Sequence, residues 1–332
     1  MAAPSNRPRL ADVARRAGVS VATASRVLNR SAPVTVDVVV RVEQAVADLG
    51  YVRQRVPHTP RGSGAVSLVV FDDMLRYQRD SFYARLLVGA ERAAVRAGLE
   101  LVVLTALRHA PRESLLRYLC GGHVDGVVMV GMRADAAPAR SVRAAGVPVI
   151  CLGRSELADL SYVDADNQGG ARQAVGHLIT SGRRSIATIA GPRDMLVAGD
   201  RLAGYQEALT DAGLEPDRAV ARGDFTAASG EHAMLRLLDR SPHLDAVFAA
   251  SDLMALGALR VLRRLRVRVP DQVAVVGFDD AALAQHTMPL LTTVRQPVEE
   301  MGARAVQELL AARAGACRTI VLPTSLVVRE SA

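Results

Sequence analysis

Two hydrophobic rhythms divide the chain. In the first fifty residues apolar positions recur at helical spacing: Val13, Ala14 and Ala17, then Ala24, Val27 and Leu28, then an amphipathic run from Val36 to Leu49. Gly18 sits where a helix must end on a left-handed residue, and Ser20 stands where a second helix, Val21 to about Asn29, needs a capping oxygen. Thr35 is placed to cap the third helix and Gly50 to stop it. Val19, in the turn, is expected to pack between the first two helices. From Ala65 the rhythm changes: short apolar runs ("AVSLVVF", "DGVVMVG", "VPVICLG", "RSIATIAG", "AVFAAS", "VAVVGF") alternate with amphipathic stretches such as "FYARLLVGAERAAVRAG" and "LMALGALRVLRRL". That alternation predicts parallel sheets covered by helices, in two similar lobes. The fold class is α/β: a three-helix head joined to a two-lobed body with parallel sheets.

Charge sharpens the division. The 332-residue chain carries a net +7, and residues 1–61 hold ten arginines against only Asp12, Asp37, Glu43 and Asp48. Nearly all the surplus therefore lies in the head, which points to a polyanion partner. A turn as short as Gly18–Ser20 forces two helices across each other and leaves the N-terminal residues of the second projecting, as the major groove of DNA requires. An ordinary helical bundle remains the plainer alternative for the head alone. Half the residues are hydrophobic and 3% aromatic, so the core must be built mainly of Ala, Val and Leu. Cys120, Cys151 and Cys317 lie far apart with no C-x-x-C pair, which suggests neither a disulfide framework nor a zinc site and fits a reducing compartment. With no apolar leader at the start and no apolar run of spanning length, the expectation is a soluble cytoplasmic protein with no membrane partner.

In parallel sheets ligands bind beyond the carboxyl ends of the strands. There the sequence places Asp72, Asp73, Arg133, Arg154, Ser251, Asp252, Asp279 and Asp280, with Arg201 nearby. This is a donor and acceptor set suited to a hydroxyl-rich small molecule. Plainer roles stay open: Asp252 and Asp280 as helix caps, Phe82 and Phe225 as core, Arg201 paired with Asp200 or Glu207. Catalysis has no footing. There is no G-x-S-x-G elbow, phosphate loop or G-x-G-x-x-G, and the seven histidines are scattered singly. No enzyme activity and no cofactor or metal is expected.

"LADVARRAGVSVATASRVLN" followed by "APVTVDVVVRVEQAVADLGY" resembles the lactose-repressor (LacI/GalR) family of bacterial transcription regulators. "HVDGVVMVG", "VDADNQGGARQAVGHLITSGRRSIATIAGP", "DRLAGYQEAL" and "VPDQVAVVGFDDAALAQHTMPLLTTVRQPVEEMG" are similar to its effector domain, whose fold is shared with periplasmic sugar-binding proteins. The resemblance implies that Val21 and Ala22 meet bases, Arg26 reaches a guanine or phosphate, and Thr23, Ser25 and Asn29 hold the backbone or the helix end, beside the capping Ser20; Arg53, Arg55 and Arg61 of the linker are expected near phosphates. It implies that Arg201 grips an effector, Asp279 accepts its hydrogen bonds, Phe225 stacks on it, and Phe82 and Tyr83 line the opposite lobe, with Arg154, Ser251 and Asp252 at the pocket wall. Ser251 and Gly153 depart from the more usual Asn and Asp, which leaves the ligand's identity open.

The expected organisation is a DNA-binding head (1–56), a Pro/Gly linker (57–64) and an effector-binding and dimerisation body (65–332). In the body an N-lobe of about 65–164 and 293–322 is interleaved with a C-lobe of about 165–292 and 323–332. The implied function is a homodimeric repressor of a near-palindromic double-stranded operator, modulated by a sugar-like effector and associated with the nucleoid when bound to DNA. The segment from Phe82 to Gly98 and the stretch near Gln296–Leu310 are candidate dimer surfaces. The family's hinge helix wedges a Leu into the minor groove. "VPHTPRGSG" offers no Leu and two prolines, so an extended linker with weaker operator bending is expected.

Overall fold

The computed structural model describes residues 8, 10–29, 34–49, 51, 62–71, 81–107, 112–132, 136–155, 160–215, 219–311 and 318–332. Contacts divide the chain into one unit within Met1–His58 and another within Thr59–Ala332.

The first unit holds α1 (Leu10–Ala17), α2 (Val21–Asn29) and α3 (Val36–Leu49). Gly18 adopts φ +65°, and Val19 N–H donates to the Ala14 carbonyl at 3.0 Å, so α1 closes on the left-handed residue expected. Ser20 Oγ accepts from Thr23 N–H at 3.0 Å and caps α2. Val13, Ala17, Val27, Val42 and Ala45 form the core, with Val19 packed against it. An Arg16–Asp48 ion pair of 2.9 Å ties α1 to α3. Gly50 and most of the linker, including Arg53, Arg55, Pro57 and Pro60, lie outside the described residues, as do the hinge expectations attached to them. Ser63 and Gly64 donate their backbone N–H groups to Asp125.

The second unit is built on two six-stranded sheets. The first contains β1 (Ala65–Val70), β2 (Glu100–Thr105), β3 (Val127–Val130), β4 (Val149–Leu152), β5 (Ser161–Ala165) and β11 (Thr319–Leu322), in the order β11-β5-β4-β3-β1-β2, all parallel. The second contains β6 (Ile186–Ala190), β7 (Val220–Arg222), β8 (Ala246–Ala249), β9 (Ala274–Asp279), β10 (Thr292–Arg295) and β12 (Ser325–Val327), in the order β12-β10-β9-β8-β6-β7. Only β12 is antiparallel there. Central strands are buried on both faces, which is why they read as continuous Val/Ile/Ala runs.

Helices α4 (Ser81–Arg96), α5 (Glu113–Cys120), α6 (Ala137–Ala144) and α11 (Val298–Ala311) cover the first sheet. Helices α7 (Asn167–Thr180), α8 (Leu196–Asp211), α9 (Ala227–Arg240) and α10 (Asp252–Arg264) cover the second. The core is Ala, Val and Leu with a few Phe and Met, and each fully buried Val or Leu contributes ~1.5–3 kcal/mol.

The chain crosses between lobes three times: at Asp166, at Gln296–Pro297 and at Pro323–Thr324. The second crossing corrects the expected start of the returning N-lobe segment at 293, because Thr293–Arg295 pairs with β9 in the second sheet. The two segments expected at a dimer surface pack on one another within the chain. A Cβ at Gly89 would collide with the Glu299 carbonyl, and one at Gly302 with that of Leu86, so α4 and α11 touch backbone to backbone. Val88 and Val95 of α4 remain exposed.

Candidate functional site

On the head, α2 presents its N-terminal end. Val21 is 48% exposed, Ala22 and Arg26 are exposed, Thr23 and Ser25 are half-buried, and Ala24 and Val27 face the core. Helix spacing thus places Val21, Ala22 and Arg26 outward, leaving two small apolar contacts and one long cation for a groove. Thr23 also shares a hydrogen bond with Ser20, Oγ to Oγ1, at 2.8 Å.

In the body, a cavity of about 170 Å³ lies between the lobes at the carboxyl ends of their strands. It gathers Phe82, Tyr83, Arg154, Arg201, Phe225, Ser251 and Asp279 from positions far apart in sequence. Its remaining walls include Met132, Leu152, Met195 and Val197. A polar floor between apolar and aromatic walls is the usual design of a small-molecule site.

Arg201, on α8, is 5% exposed. Its Nε donates to Asn167 Oδ1 at 2.9 Å, and its Nη1 donates to the Ala250 carbonyl at 2.6 Å and to Asp279 Oδ1 at 3.2 Å. The guanidinium lies 3.7 Å from the centre of the Phe278 ring and 6.0 Å from that of Phe225. Gln296 Nε2 donates to the same Asp279 oxygen at 2.6 Å. The described bonds of Arg201 thus run into the site. Asp200 is held by Arg154, and Glu207 accepts from Gln168.

Asp279, Asp280 and Phe225 have φ of +119°, +48° and +67°. Backbone of this kind costs roughly 1–3 kcal/mol per residue, and here it accompanies the turning of Asp279 and Phe225 into the cleft. Asp280 turns away from the cavity to bind Arg329 at 2.6 Å and Arg295 at 2.7 Å. Burial opposes its charge, yet these two arginines hold its carboxyl below the usual range.

Two arginines of the first lobe reach across. Arg85, on α4, donates to the carbonyl oxygens of Asp279 at 3.2 Å and Gln296 at 3.3 Å while pairing with Glu299 at 2.8 Å. Arg154, just past β4, holds Asp200 of α8 through two bonds of 2.7 and 3.1 Å. Asp200 raises the basicity of Arg154.

One expected contact is corrected. Asp252 does not line the cavity. It is fully buried at the start of α10, where Oδ1 accepts from the Thr293 hydroxyl at 2.6 Å and Oδ2 from Ala281 N–H at 2.7 Å. Burial, with Asp279 close by, pushes its carboxyl well above the ordinary value. It clamps β8, β9 and β10 together behind the site. Ser251 does line the cavity, and its Oγ also caps α10 by accepting from Met254 N–H at 3.3 Å. Asp72, Asp73 and Arg133 lie outside the described residues. Sequence reasoning missed Asp164, Gln296 and Arg140, all in the cavity wall, and Asn167, which orients Arg201. The strand-end position of Asp164 was the available signal.

Comparison with known proteins accounts for both halves. Residues 9–54 match the model of bacterial regulatory proteins of the lacI family, and residues 175–332 match a periplasmic binding protein-like domain. The chain is 45% identical over 335 residues to the HTH-type transcriptional regulator CelR of Thermobifida fusca, covering 98% of both chains. The chain belongs to the lacI family of regulators. It is 34% identical to the HTH-type transcriptional repressor CytR of Escherichia coli K12, over 90% of this chain and 88% of the other. Among solved structures, a CelR–cellobiose complex superimposes with a TM-score of 0.80 at 44% identity, covering 98% of this chain and 100% of that one. The lac repressor dimer bound to operator and the anti-inducer ONPF does so with a TM-score of 0.73 at 29% identity, covering 98% and 99%.

As a family member the chain is a sequence-specific DNA-binding transcription regulator, not an enzyme, and its operator binding responds to a small-molecule effector. Among the described residues no helix is long and apolar enough to cross a membrane.

Proposed function

We propose that this regulator is a homodimeric repressor whose effector is a short β-linked glucose oligosaccharide of the cellobiose class. The observation that carries this reading is the Arg201–Asp279 pair on the floor of the cleft, flanked by Phe225. A fixed donor fork beside a carboxylate matches paired sugar hydroxyls, and an aromatic face matches the apolar face of a pyranose ring. The whole-length likeness to CelR, solved with cellobiose, supports the choice of sugar.

In this reading Phe82, Tyr83, Arg154 and Ser251 complete the effector contacts. Ser20, Val21, Ala22, Thr23, Ser25, Arg26 and Asn29 meet the operator, with Arg53 and Arg55 near its phosphates. Two heads read the halves of a near-palindromic site, and the protein acts in the cytoplasm, on the nucleoid when bound. The domain division is 1–56, 57–64 and 65–332, with α4 and its exposed Val88 and Val95 as part of the subunit contact. A ligand that prefers one closure of the lobes shifts the heads between competent and incompetent spacing.

Isothermal titration with cellobiose tests the ligand. Saturable binding that Arg201→Ala removes supports the reading, and absence of binding by the unmodified protein rejects it.

A further inference from the structure

We propose that Asp164 is an additional effector-binding residue, one that selects ligands presenting a hydroxyl donor to the first-lobe side of the cleft. This rests on the saccharide reading of the cavity. Asp164 ends β5, immediately before the chain crosses to the second lobe, and it lines the cavity while only 5% exposed.

Its hydrogen bonds are unevenly shared. Oδ1 accepts from Ala165 N–H at 2.8 Å and from Asn167 Nδ2 at 3.0 Å. Oδ2 accepts only from Arg154 N–H, at 2.9 Å, among the described residues. A carboxylate has about four acceptor positions, so one remains on Oδ2. A helix- or turn-capping role needs no more than Oδ1 provides. A carboxylate buried without an ion pair is costly, and a spare acceptor makes it more so unless a ligand supplies the donor.

Asn167 links this group to the other side of the site. It donates to Asp164 and accepts from Arg201, which in turn donates to Asp279. The four side chains form one continuous network from the first lobe to the second, through the Asp166 crossing. A hydroxyl bound at Asp164 therefore engages the same network as one bound at Arg201.

The charged groups facing Asp164 are Arg154 from the segment after β4, and Asp200 and Arg201 from α8. Burial raises its carboxyl to about 6; the N–H groups of Arg154 and Ala165 work against that, Asp200 adds to it, and Arg201 opposes it. A hydroxyl donor favours the ionised form. Effector affinity should then climb as pH rises through about 6 and level off above it. Asp252 and Asp279 remain in an Asp164 variant, so the comparison with the unmodified protein isolates Asp164.

The experiment is calorimetric titration of the full-length protein and of Asp164→Asn with cellobiose at pH 5.0 and 7.5, with melting curves alongside. The unmodified protein should bind roughly tenfold more weakly at pH 5.0, where about a tenth of a group of pKa 6 is ionised. Asp164→Asn should bind roughly tenfold more weakly than the unmodified protein at pH 7.5, and its affinity should vary with pH clearly less than that of the unmodified protein. A variant that melts lower but keeps the unmodified affinity and pH profile makes Asp164 purely structural and overturns the proposal. Should Asp164→Asn fail to fold, Asp164→Ser and the pH profile of the unmodified protein carry the same test, and a flat profile overturns it. Absence of binding by the unmodified protein to cellobiose, cellotriose, lactose or maltose rejects the saccharide reading itself, and Asp164 as a hydroxyl acceptor with it.

Discussion

Arg154 and Asp200 join the two lobes across the mouth of the cleft, with Nη2 to Oδ1 at 2.7 Å and Nε to Oδ2 at 3.1 Å. One partner follows the end of β4 and the other lies on α8, so the pair exists only while the lobes are closed. Arg154 is 42% exposed, which limits the pair to ~0.5–1 kcal/mol. A ligand enclosed beneath it must wait for it to open. Arg154→Ala should raise the effector dissociation rate about two- to fivefold with little change in melting temperature. Surface plasmon resonance on immobilised protein measures this, and an unchanged rate would remove the pair from the gating of the cleft.

Arg201 has a deeper role. Removing it leaves Asp279 without its buried cation and breaks bonds to Asn167 and Ala250. Arg201→Ala should cost about 3–5 kcal/mol of effector-domain stability and abolish effector binding. Because α1–α3 form their own core, operator affinity should persist. Chemical denaturation followed by circular dichroism and operator titration separates the two outcomes.

The sign of the pH effect at Asp252 follows from its raised carboxyl. Between the unfolded value near 3.8 and the native value, the unfolded chain releases a proton that the folded chain retains. The stability contributed by this group is therefore fullest at acid pH and declines as pH rises through that window. Asp252→Asn is isosteric with the protonated form, can still meet Thr293, and should melt within a few degrees of the unmodified protein at pH 7 with a shallower pH dependence. Asp252→Ala removes the acceptors of the Ala281 N–H and of the Thr293 hydroxyl proton and should cost about 2–3 kcal/mol. Melting curves from pH 5 to 8 decide it.

Much of this was legible in the chain, for reasons that differ by element. Gly18 and Ser20 are local signals that act within one turn, so the head could be placed almost to the residue. The alternation of apolar runs and amphipathic stretches required two covered parallel sheets. Arg201, Phe225 and Asp279 were found because strand ends and motif resemblance agree on them. Asp252 was misplaced because a strand end has two sides, and only packing decides that its carboxylate faces Thr293 rather than the cavity. The close packing of α4 on α11 was not legible, because Gly89 and Gly302 mark a close helix contact without saying which partner meets them. Asn167, Gln296 and Arg85 act through bonds 34, 17 and 194 residues apart in sequence, which no local pattern encodes.

On the head, Arg26 is the exposed long cation of α2, flanked by the small apolar Val21 and Ala22. Arg26→Ala should weaken operator binding by about 1–3 kcal/mol and relax discrimination at one base pair in each half-site. Binding to unrelated DNA should change far less. Fluorescence anisotropy with operators recovered from genomic fragments gives both numbers, and equal losses on specific and unrelated DNA would make Arg26 a phosphate contact only.

The most direct test of the whole account joins the two halves in one titration. Operator affinity of the full-length protein is measured by anisotropy at fixed salt, with and without cellobiose, for the unmodified protein and for Asp279→Asn. A change in operator Kd of tenfold or more in the unmodified protein, absent in Asp279→Asn, is the predicted result. Equal operator affinity with and without saturating cellobiose in the unmodified protein would contradict it.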